Sequence, residues 1–381
     1  KRLLMRYRPI PCTTLSVSEL SFGNFIFGSH MWAKTPADAP EGIRLQNLAF
    51  DLGVNFFDTG DAYSNGHAER LMVDTLRYAG RDNIVLSTKF GYDIYATDND
   101  VPSPSSHKER RQDFSEKFIT FALEQSLQRL QTDHVDLYQA HNMKLPHMTG
   151  PAGQEFLNAM EKLQKAGKIK HWGIALGPAI GWREEGVIAL TRWANVADGC
   201  KSLQTVFNLL EPNPGREFCE LAQEAANGSG AAIIARVPHS SGILQDMYSP
   251  DEKFEDHRKF RDKNWLSFGL KKVEKIRHIQ KAHDNGAPCS MGQLAIKWLL
   301  TWPAVTSVQS NIMNEAELRE FAAACDGDLL TPSEMAEIQA LVDADFSFGP
   351  DAHPCDLKSS IDPTGRTRSE YQKGQPLPSL T

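Results

Sequence analysis

Apolar residues recur along this chain in two alternating rhythms. Short, nearly unbroken apolar runs at 20–27, 54–57, 84–89, 135–141, 171–176, 202–208, 231–237 and 305–309 have the length and content of buried strands. Between and after them, apolar positions return every three to four residues over 42–52, 68–78, 118–130, 154–166, 184–195, 216–226, 271–283 and 315–324, the spacing of helices that bury one face. An additional helix is predicted at 291–300. Residues 6–17 have the pattern of a hairpin, and a last helix at 333–344 leads into a Pro- and Gly-bearing polar tail over 348–381. Strands that barely alternate belong to a parallel sheet covered by helices. Eight such units close most naturally into a (β/α)8 TIM barrel, with the N-terminal hairpin as its plug. The predicted organisation is one domain over 1–381, the barrel spanning about 15–325 and the C-terminal helix and tail 331–381. A doubly wound sheet is the alternative, weakened because no Gly-x-Gly-x-x-Gly follows the first strand. Two connections, 91–113 and 240–268, have the length of lids or binding loops over the mouth, or of floppy insertions.

Composition narrows the partners. A net charge of −7 with a pI near 6.0 does not suit a nucleic-acid or anionic-membrane surface, and the one dense basic run, 108–111, is interrupted by Glu109. Cys12, Cys200, Cys219, Cys289, Cys325 and Cys355 lie far apart with no C-x-x-C spacing. They read as buried small residues or free thiols of a reducing, cytoplasmic compartment. No apolar run reaches the ~18 residues of a membrane span, and residues 1–8 lack the apolar stretch of a signal peptide. Neither nucleic acid nor membrane is therefore an expected partner; the oligomeric state is open.

Polar residues close the strand-like runs at one end. Asp58 directly follows 54–57, Lys89 ends 84–89 and His141 ends 135–141, while Tyr63 sits on the turn-rich stretch 58–66. Chemistry in parallel α/β folds lies at the carboxyl ends of strands. Neighbouring strands run ~4.8 Å apart, so these strand-end residues converge on one rim with the phenol above them. A phenol alone is a poor proton donor near neutrality. An adjacent ammonium, the role open to Lys89, favours its ionised form. Asp58 would keep Lys89 charged and aimed, and His141 would orient a carbonyl oxygen or relay its proton. No Ser or Cys is paired with a base here, as acyl transfer requires, and the histidines show no metal-ligand spacing. The set suits protonation of a carbonyl oxygen while a hydride arrives from a cofactor. Taken singly, Asp58 and Lys89 also make an ordinary rim ion pair, and His141 an ordinary packed histidine. Joint placement is what points to catalysis.

The runs Val-Asn-Phe-Phe-Asp-Thr-Gly-Asp-Ala-Tyr (54–63), Ser-Thr-Lys-Phe (87–90) and Asp-Leu-Tyr-Gln-Ala-His (136–141) resemble signatures of the aldo-keto reductase superfamily. Leu-Ser-Val-Ser-Glu-Leu-Ser-Phe-Gly (15–23), Gln-Thr-Val-Phe-Asn-Leu-Leu (204–210) and Pro-His-Ser-Ser-Gly-Ile-Leu (238–244) are similar to family patterns too. The resemblance covers about 15–341. It implies the barrel, an NADP(H) or NAD(H) cofactor, interconversion of a carbonyl and an alcohol, and a catalytic tetrad falling on Tyr63, Lys89, Asp58 and His141. It implies cofactor contacts at Gly23, Asn24, Asp58, Gln204, Arg236 and Pro238. The pyrophosphate would run along Ser240, Ser241, Gly242 and Leu244, and the adenosine end would meet Ser310, Asn311, Glu317 and Glu320. The chain departs from the family at Ala175 and Leu176, where Ser-Asn usually holds the carboxamide, and at Arg236, which replaces a stacking aromatic with a guanidinium plane. Glu317 stands where a basic residue often meets the 2′-phosphate, and Phe321 replaces a usual Asn. A carboxylate repels a phosphate but accepts from a ribose 2′-hydroxyl. This weakens the NADPH default unless Ser310 and the amides opening the next helix bind the phosphate. Trp32, Tyr92, Asn142, Trp182, Arg183 and Trp265 lie near the mouth. They suit a sugar-like or aromatic carbonyl substrate, or a shielding lid. A second class of function is a cofactor-binding, redox-sensing module with little turnover.

Overall fold

The computed structural model describes residues 4–27, 38–96, 111–177, 183–224, 230–255, 258, 265–283 and 289–348. A two-stranded antiparallel hairpin, β1 (Tyr7–Pro9) and β2 (Ser16–Ser18), opens the chain. Eight parallel strands then close a barrel: β3 (Leu20–Gly23), β4 (Phe56–Asp58), β5 (Val85–Phe90), β6 (Val135–His141), β7 (Ile169–Ala175), β8 (Ser202–Val206), β9 (Ala232–Arg236) and β10 (Val305–Asn311), with β10 pairing back onto β3. Around it run α1 (Ala39–Asp51), α2 (His67–Ala79), α3 (Glu116–Leu130), α4 (Leu145–Met148), α5 (Gly150–Lys165), α6 (Arg183–Thr191), α7 (Gly215–Glu224), α8 (Trp265–Ala282), α9 (Met291–Thr301), α10 (Glu315–Ala323) and α11 (Pro332–Asp343). The structure is a (β/α)8 barrel with a hairpin plug and C-terminal helices. Residues 349–381, most of the expected tail, lie outside the described residues.

Strand alternation sets what lines the barrel. Phe56, Val85, Leu137, Ala232 and Ile234 form one buried cluster with Ile10, Leu15 and Val17 of the hairpin, so the plug seals an apolar floor. Two residues further along the same strands, the inward positions turn polar: Asp58 above Phe56, Ser87 above Val85, Gln139 above Leu137, and Arg236 above Ile234. Above those come Lys89 and His141. The period of two thus carries each strand from an apolar floor to a polar mouth.

Several boundaries differ from the pattern-based ones. The expected strand at 20–27 stops at Gly23: Asn24 N–H makes the last rung to β4, donating to the Asp58 carbonyl at 2.9 Å, and the chain then enters turns. The fifth helix starts at Gly150, with Pro151 in the first turn where its missing N–H costs nothing. The 240–268 connection is not one long loop: 240–245 forms 3-10 turns and α8 begins at Trp265, six residues before the apolar rhythm predicts. Trp265, Gly269 and Val273 are buried along one helical face, which is the stripe that extends it.

Candidate active site

The loop after β4 is sewn onto β5 by its own backbone. Thr59 N–H donates to Ser87 O (2.9 Å) and Asp61 N–H to Lys89 O (3.1 Å). Ser64, Asn65 and Gly66 then take positive φ, and Gly66 caps α2. A Cβ at Gly66 would meet Arg129 Cδ at 2.4 Å, so glycine is required where that side chain passes beneath the loop toward buried Glu69. This fastening holds Tyr63 over the end of β5. Lys89 Nζ lies 4.9 Å from the centroid of the Tyr63 ring, donates to the Asp58 carboxylate and to Thr59 O (2.9 Å), and is fully buried. Burial alone would lower the ammonium's pKa, but the Asp58 carboxylate and the Tyr63 oxygen outweigh it and leave it raised. Lys89 is thus a permanent cation beside a phenol.

Asp58 has more partners than the strand-end pattern suggests. Gln309 Nε2 donates to Oδ1 (2.8 Å), and Gln139 and Gln204 donate to Oδ2 (3.1 and 3.2 Å). Gln204 Nε2 also reaches Gln309 Oε1 at 2.5 Å. Three amides from β6, β8 and β10 therefore share the carboxylate with Lys89. Sequence reasoning missed Gln139 and Gln309; the available signal was their inward register, two residues above apolar floor positions or paired with Arg236 across the sheet.

His141 stands edge-on to both Tyr63 and Tyr92, with ring centroids 5.7 and 5.1 Å apart. Burial, then the charges of Lys89 and Arg236, push its pKa well below the usual histidine value, so the imidazole is neutral at physiological pH. A neutral ring can donate one hydrogen bond without carrying charge. Asn142, in the left-handed region at φ 53°, donates Nδ2 to Tyr92 Oη at 2.6 Å. Arg236 Nη2 donates to Leu176 O at 2.7 Å. Tyr63, His141, Tyr92, Asn142 and Arg236 thus belong to one corner of the mouth.

The residues expected to meet a cofactor fall into two groups. Gly23 abuts Gln309, and Asn24 is fully committed to the fold: its amide donates to Asp58 O (3.1 Å) and its oxygen accepts from Gln46 (2.7 Å). On the other side of the mouth, Pro238 leads into the 3-10 segment Ser240–Gln245, where Ser240, Ser241 and Gly242 have positive φ. A Cβ on Gly242 would meet Tyr248 Oη at 2.1 Å. Leu244 is buried there, and Ser240 Oγ donates to Glu211 at 3.2 Å. Ser310 Oγ, at the end of β10 beside Asn311, is buried with no hydrogen-bond partner among the described residues. Glu317 folds back over the start of its own helix, accepting from Met313 N–H (2.8 Å) and Asn314 Nδ2 (3.1 Å), while Asn314 caps Glu317 N–H (3.0 Å). Glu320 accepts from Ser290 Oγ.

His239 lies between these pieces, its ring 4.3 Å from that of Phe321 and its Nε2 3.1 Å from Gly292 O. Burial pushes its pKa down from 6.5 to about 4. The unfolded chain therefore binds a proton that the folded chain rejects between those values, and stability falls as pH drops through that window. Between pH 7 and 5 this group should cost about 2 kcal/mol. Urea unfolding of His239→Gln at both pH values is expected to lack that share of the loss; equal losses in variant and parent would refute it.

Two of the other expected mouth residues, Arg183 and Trp265, are engaged within the fold. Trp32 and Trp182 are outside the described residues. Arg183 opens α6 with its guanidinium spent on Glu217 of α7, at 2.7 and 2.5 Å, both side chains buried; its charge braces two helices instead of facing a substrate. Trp265 is buried at the start of α8, 5.7 Å from the ring of Phe254, because it carries the core-facing stripe of that helix. Tyr92 and Asn142 do reach the rim. A surface groove of about 670 Å³ lined by Glu124, Gln128, His134 and Lys168 sits at the opposite, amino-terminal ends of β6 and β7, away from all of this chemistry.

The sequence pattern of the Aldo/keto reductase family is matched by residues 19–343, a span that takes in every barrel strand, and the chain belongs to that family. It is 27% identical over 337 residues to an uncharacterized oxidoreductase, YqkF, of Bacillus subtilis, covering 88% of this chain and 96% of the relative. A probable voltage-gated potassium channel subunit beta of Oryza sativa is 29% identical over 352 residues, covering 89% and 97%. Among solved structures, the holo form of aldo-keto reductase AKR11C1 from Bacillus halodurans superposes with a TM-score of 0.67 at 24% identity, covering 89% of this chain and 96% of that one, a likeness of fold. The family and the barrel together define an oxidoreductase fold of the NAD(P)H-dependent type. No helix among the described residues is long and apolar enough to cross a membrane.

Proposed function

We propose that this protein interconverts a carbonyl and an alcohol with NAD(P)H, Tyr63 giving the proton to the carbonyl oxygen or taking it from the alcohol. The observation that carries this reading is the buried Lys89 cation, held by Asp58 and set 4.9 Å from the centre of the Tyr63 ring. The bound dinucleotide supplies or receives the hydride at the carbonyl carbon. Lys89 favours the ionised phenol after the proton has left, and Asp58 with its three glutamines keeps Lys89 in place. Neutral His141 hydrogen-bonds the carbonyl oxygen and orients it toward Tyr63. Tyr92 and Asn142 bound the space where the rest of a sugar-like or aromatic substrate would lie.

The residues present fit such a cofactor. Gln204 has its amide nitrogen engaged by Asp58 and Gln309, which leaves its carbonyl oxygen to accept from a carboxamide. The buried Ser310 Oγ, without a partner among the described residues, has the place of a hydrogen-bond donor to the dinucleotide. At the adenosine end we favour NAD(H). Glu317 accepts from Met313 N–H and gives its own N–H to Asn314, so its carboxylate is held over the start of α10, where it disfavours a 2′-phosphate. Titration by quenching of protein fluorescence should give NADH at least about tenfold tighter binding than NADPH. Glu317→Gln, which keeps the cap, should narrow that ratio severalfold. Tighter NADPH binding by the unmutated chain would reject the preference.

A second reading has a specific observation behind it, the similarity to a probable channel subunit beta. In it the barrel holds cofactor and signals redox state with little turnover. A screen of aldehydes, ketones and alcohols with the cofactor that binds decides: micromolar or tighter binding with no turnover on any of them favours the module.

A further inference from the structure

Among the described residues the backbone bonds of Tyr63 are local, its N–H donating to Gly60 O (3.1 Å) and its carbonyl accepting from Ala68 N–H (3.3 Å). The height of the phenol over β5 is therefore set by how the stretch from Gly60 to Gly66 rests on what lies under it. That support is Arg129. A Cβ on Gly66 would fall 2.5 Å from Arg129 Nε as well as 2.4 Å from Cδ, so the loop backbone sits directly on the arginine side chain.

Arg129 is buried, and its guanidinium joins separate parts of the fold. Nε donates to Glu69 of α2, while Nη2 donates to Ser126 Oγ of its own helix α3 (3.1 Å) and to Tyr95 Oη on the segment after β5 (3.0 Å). Glu69, fully buried, gives its other oxygen to the Thr88 hydroxyl at 2.6 Å. Thr88 precedes Lys89 on β5. One connected set thus touches the carrier of the phenol, at Gly66 and Glu69, and the carrier of the ammonium, at Thr88. Burial works against the charge on Arg129, but the Glu69 carboxylate outweighs it and the guanidinium pKa is raised. The support is a permanent cation.

A buried arginine–glutamate pair between two helices has an ordinary reading, helix packing. The place of this one argues for more. Tyr63 and Lys89 work together only at the separation the rim gives them, and a displacement of about 1 Å in a reacting group costs about a hundredfold in rate.

We propose that Arg129 is a positioning residue for the reaction: lodged between α2, α3 and β5, it sets Tyr63 over Lys89, so that its loss lowers turnover through Tyr63 and leaves cofactor binding intact. This rests on the proton-transfer role given to Tyr63 above.

Arg129→Met alone strands the Glu69 carboxylate, so the test uses Glu69→Gln with Arg129→Met, a double variant that leaves no buried charge at the pair. With NADH and butanal it should lose about tenfold or more in kcat, while NADH affinity, read by fluorescence quenching, stays within about twofold. In a Tyr63→Phe background the same two substitutions should change the residual rate by less than about twofold, because residues that act through one group are not additive. Equal fold losses in the two backgrounds would make the pair a prop of the fold as a whole and overturn the proposal. Arg129→Lys keeps a charge beside Glu69 but cannot also span to Tyr95 and Ser126. It should retain part of the turnover, and the same comparison of backgrounds decides the matter if the double variant does not fold. Failure of the Tyr63 reading is told apart by hydrogen exchange. If butanal is not turned over, or Tyr63→Phe costs nothing, amides over 59–66 should still exchange about tenfold faster in the double variant, with the barrel strands unchanged. Unchanged exchange in that loop refutes the support given to Arg129.

Discussion

Replacing Tyr63 with phenylalanine is expected to lower turnover by roughly two to four orders of magnitude while the chain still binds its cofactor. The ring is buried and packs edge-on against Phe25 at 4.9 Å and His141 at 5.7 Å, contacts that phenylalanine keeps. Only the hydroxyl beside Lys89 is removed, and with it the proton that the carbonyl oxygen would take. Steady-state rates measured beside cofactor fluorescence quenching test this. A variant that turns over within a few-fold of the unmutated chain would sink the role given to Tyr63. A variant that no longer binds cofactor would show that Tyr63 acts in binding instead.

The second large effect belongs to Lys89. Its ammonium and the Asp58 carboxylate are both fully buried, so Lys89→Met leaves an uncompensated charge inside the barrel. Such a loss destabilises by about 3–5 kcal/mol. Gln309→Leu removes one neutral donor from the same carboxylate and should cost only about 1–2 kcal/mol. Adding Asp58→Asn to Lys89→Met should recover part of the loss, since the buried charge then disappears. Urea unfolding of these variants decides the matter. If Lys89→Met costs no more than Gln309→Leu, the buried pair does not hold the rim together. Activity should fall sharply in Lys89→Met in any event, because the cation beside the phenol is gone.

Much of the rim was legible from local order. Asp58, Lys89 and His141 each end a short apolar run, and parallel strands that neighbour one another in sequence also neighbour one another in space. Glu317 was legible as a carboxylate where the family often has a basic residue, but not that it folds back onto Met313 N–H. The engagements of Arg183 and Trp265 were not legible for one reason: each begins a helix, and a residue at a helix start faces the mouth or the core according to which neighbour packs against it. Glu217 on the next helix and Phe254 on the preceding loop decided those cases. Gln139 and Gln309 went unseen because an inward glutamine on a strand carries no signal until closure of the barrel brings β6, β8 and β10 around one carboxylate.

By itself the sequence determined the number and order of the strands, the hairpin plug, and the placing of an acid, an ammonium, an imidazole and a phenol at strand ends, because hydrophobic period and turn chemistry are properties of neighbouring residues. Only the tertiary structure decided which side chains share a charge. Closing the barrel put three amides on Asp58, joined Arg183 to Glu217, and brought Arg236 to Leu176, with no carboxylate in contact among the described residues. Those outcomes depend on how strands distant in the chain meet, and on which buried charges find partners once water has been excluded.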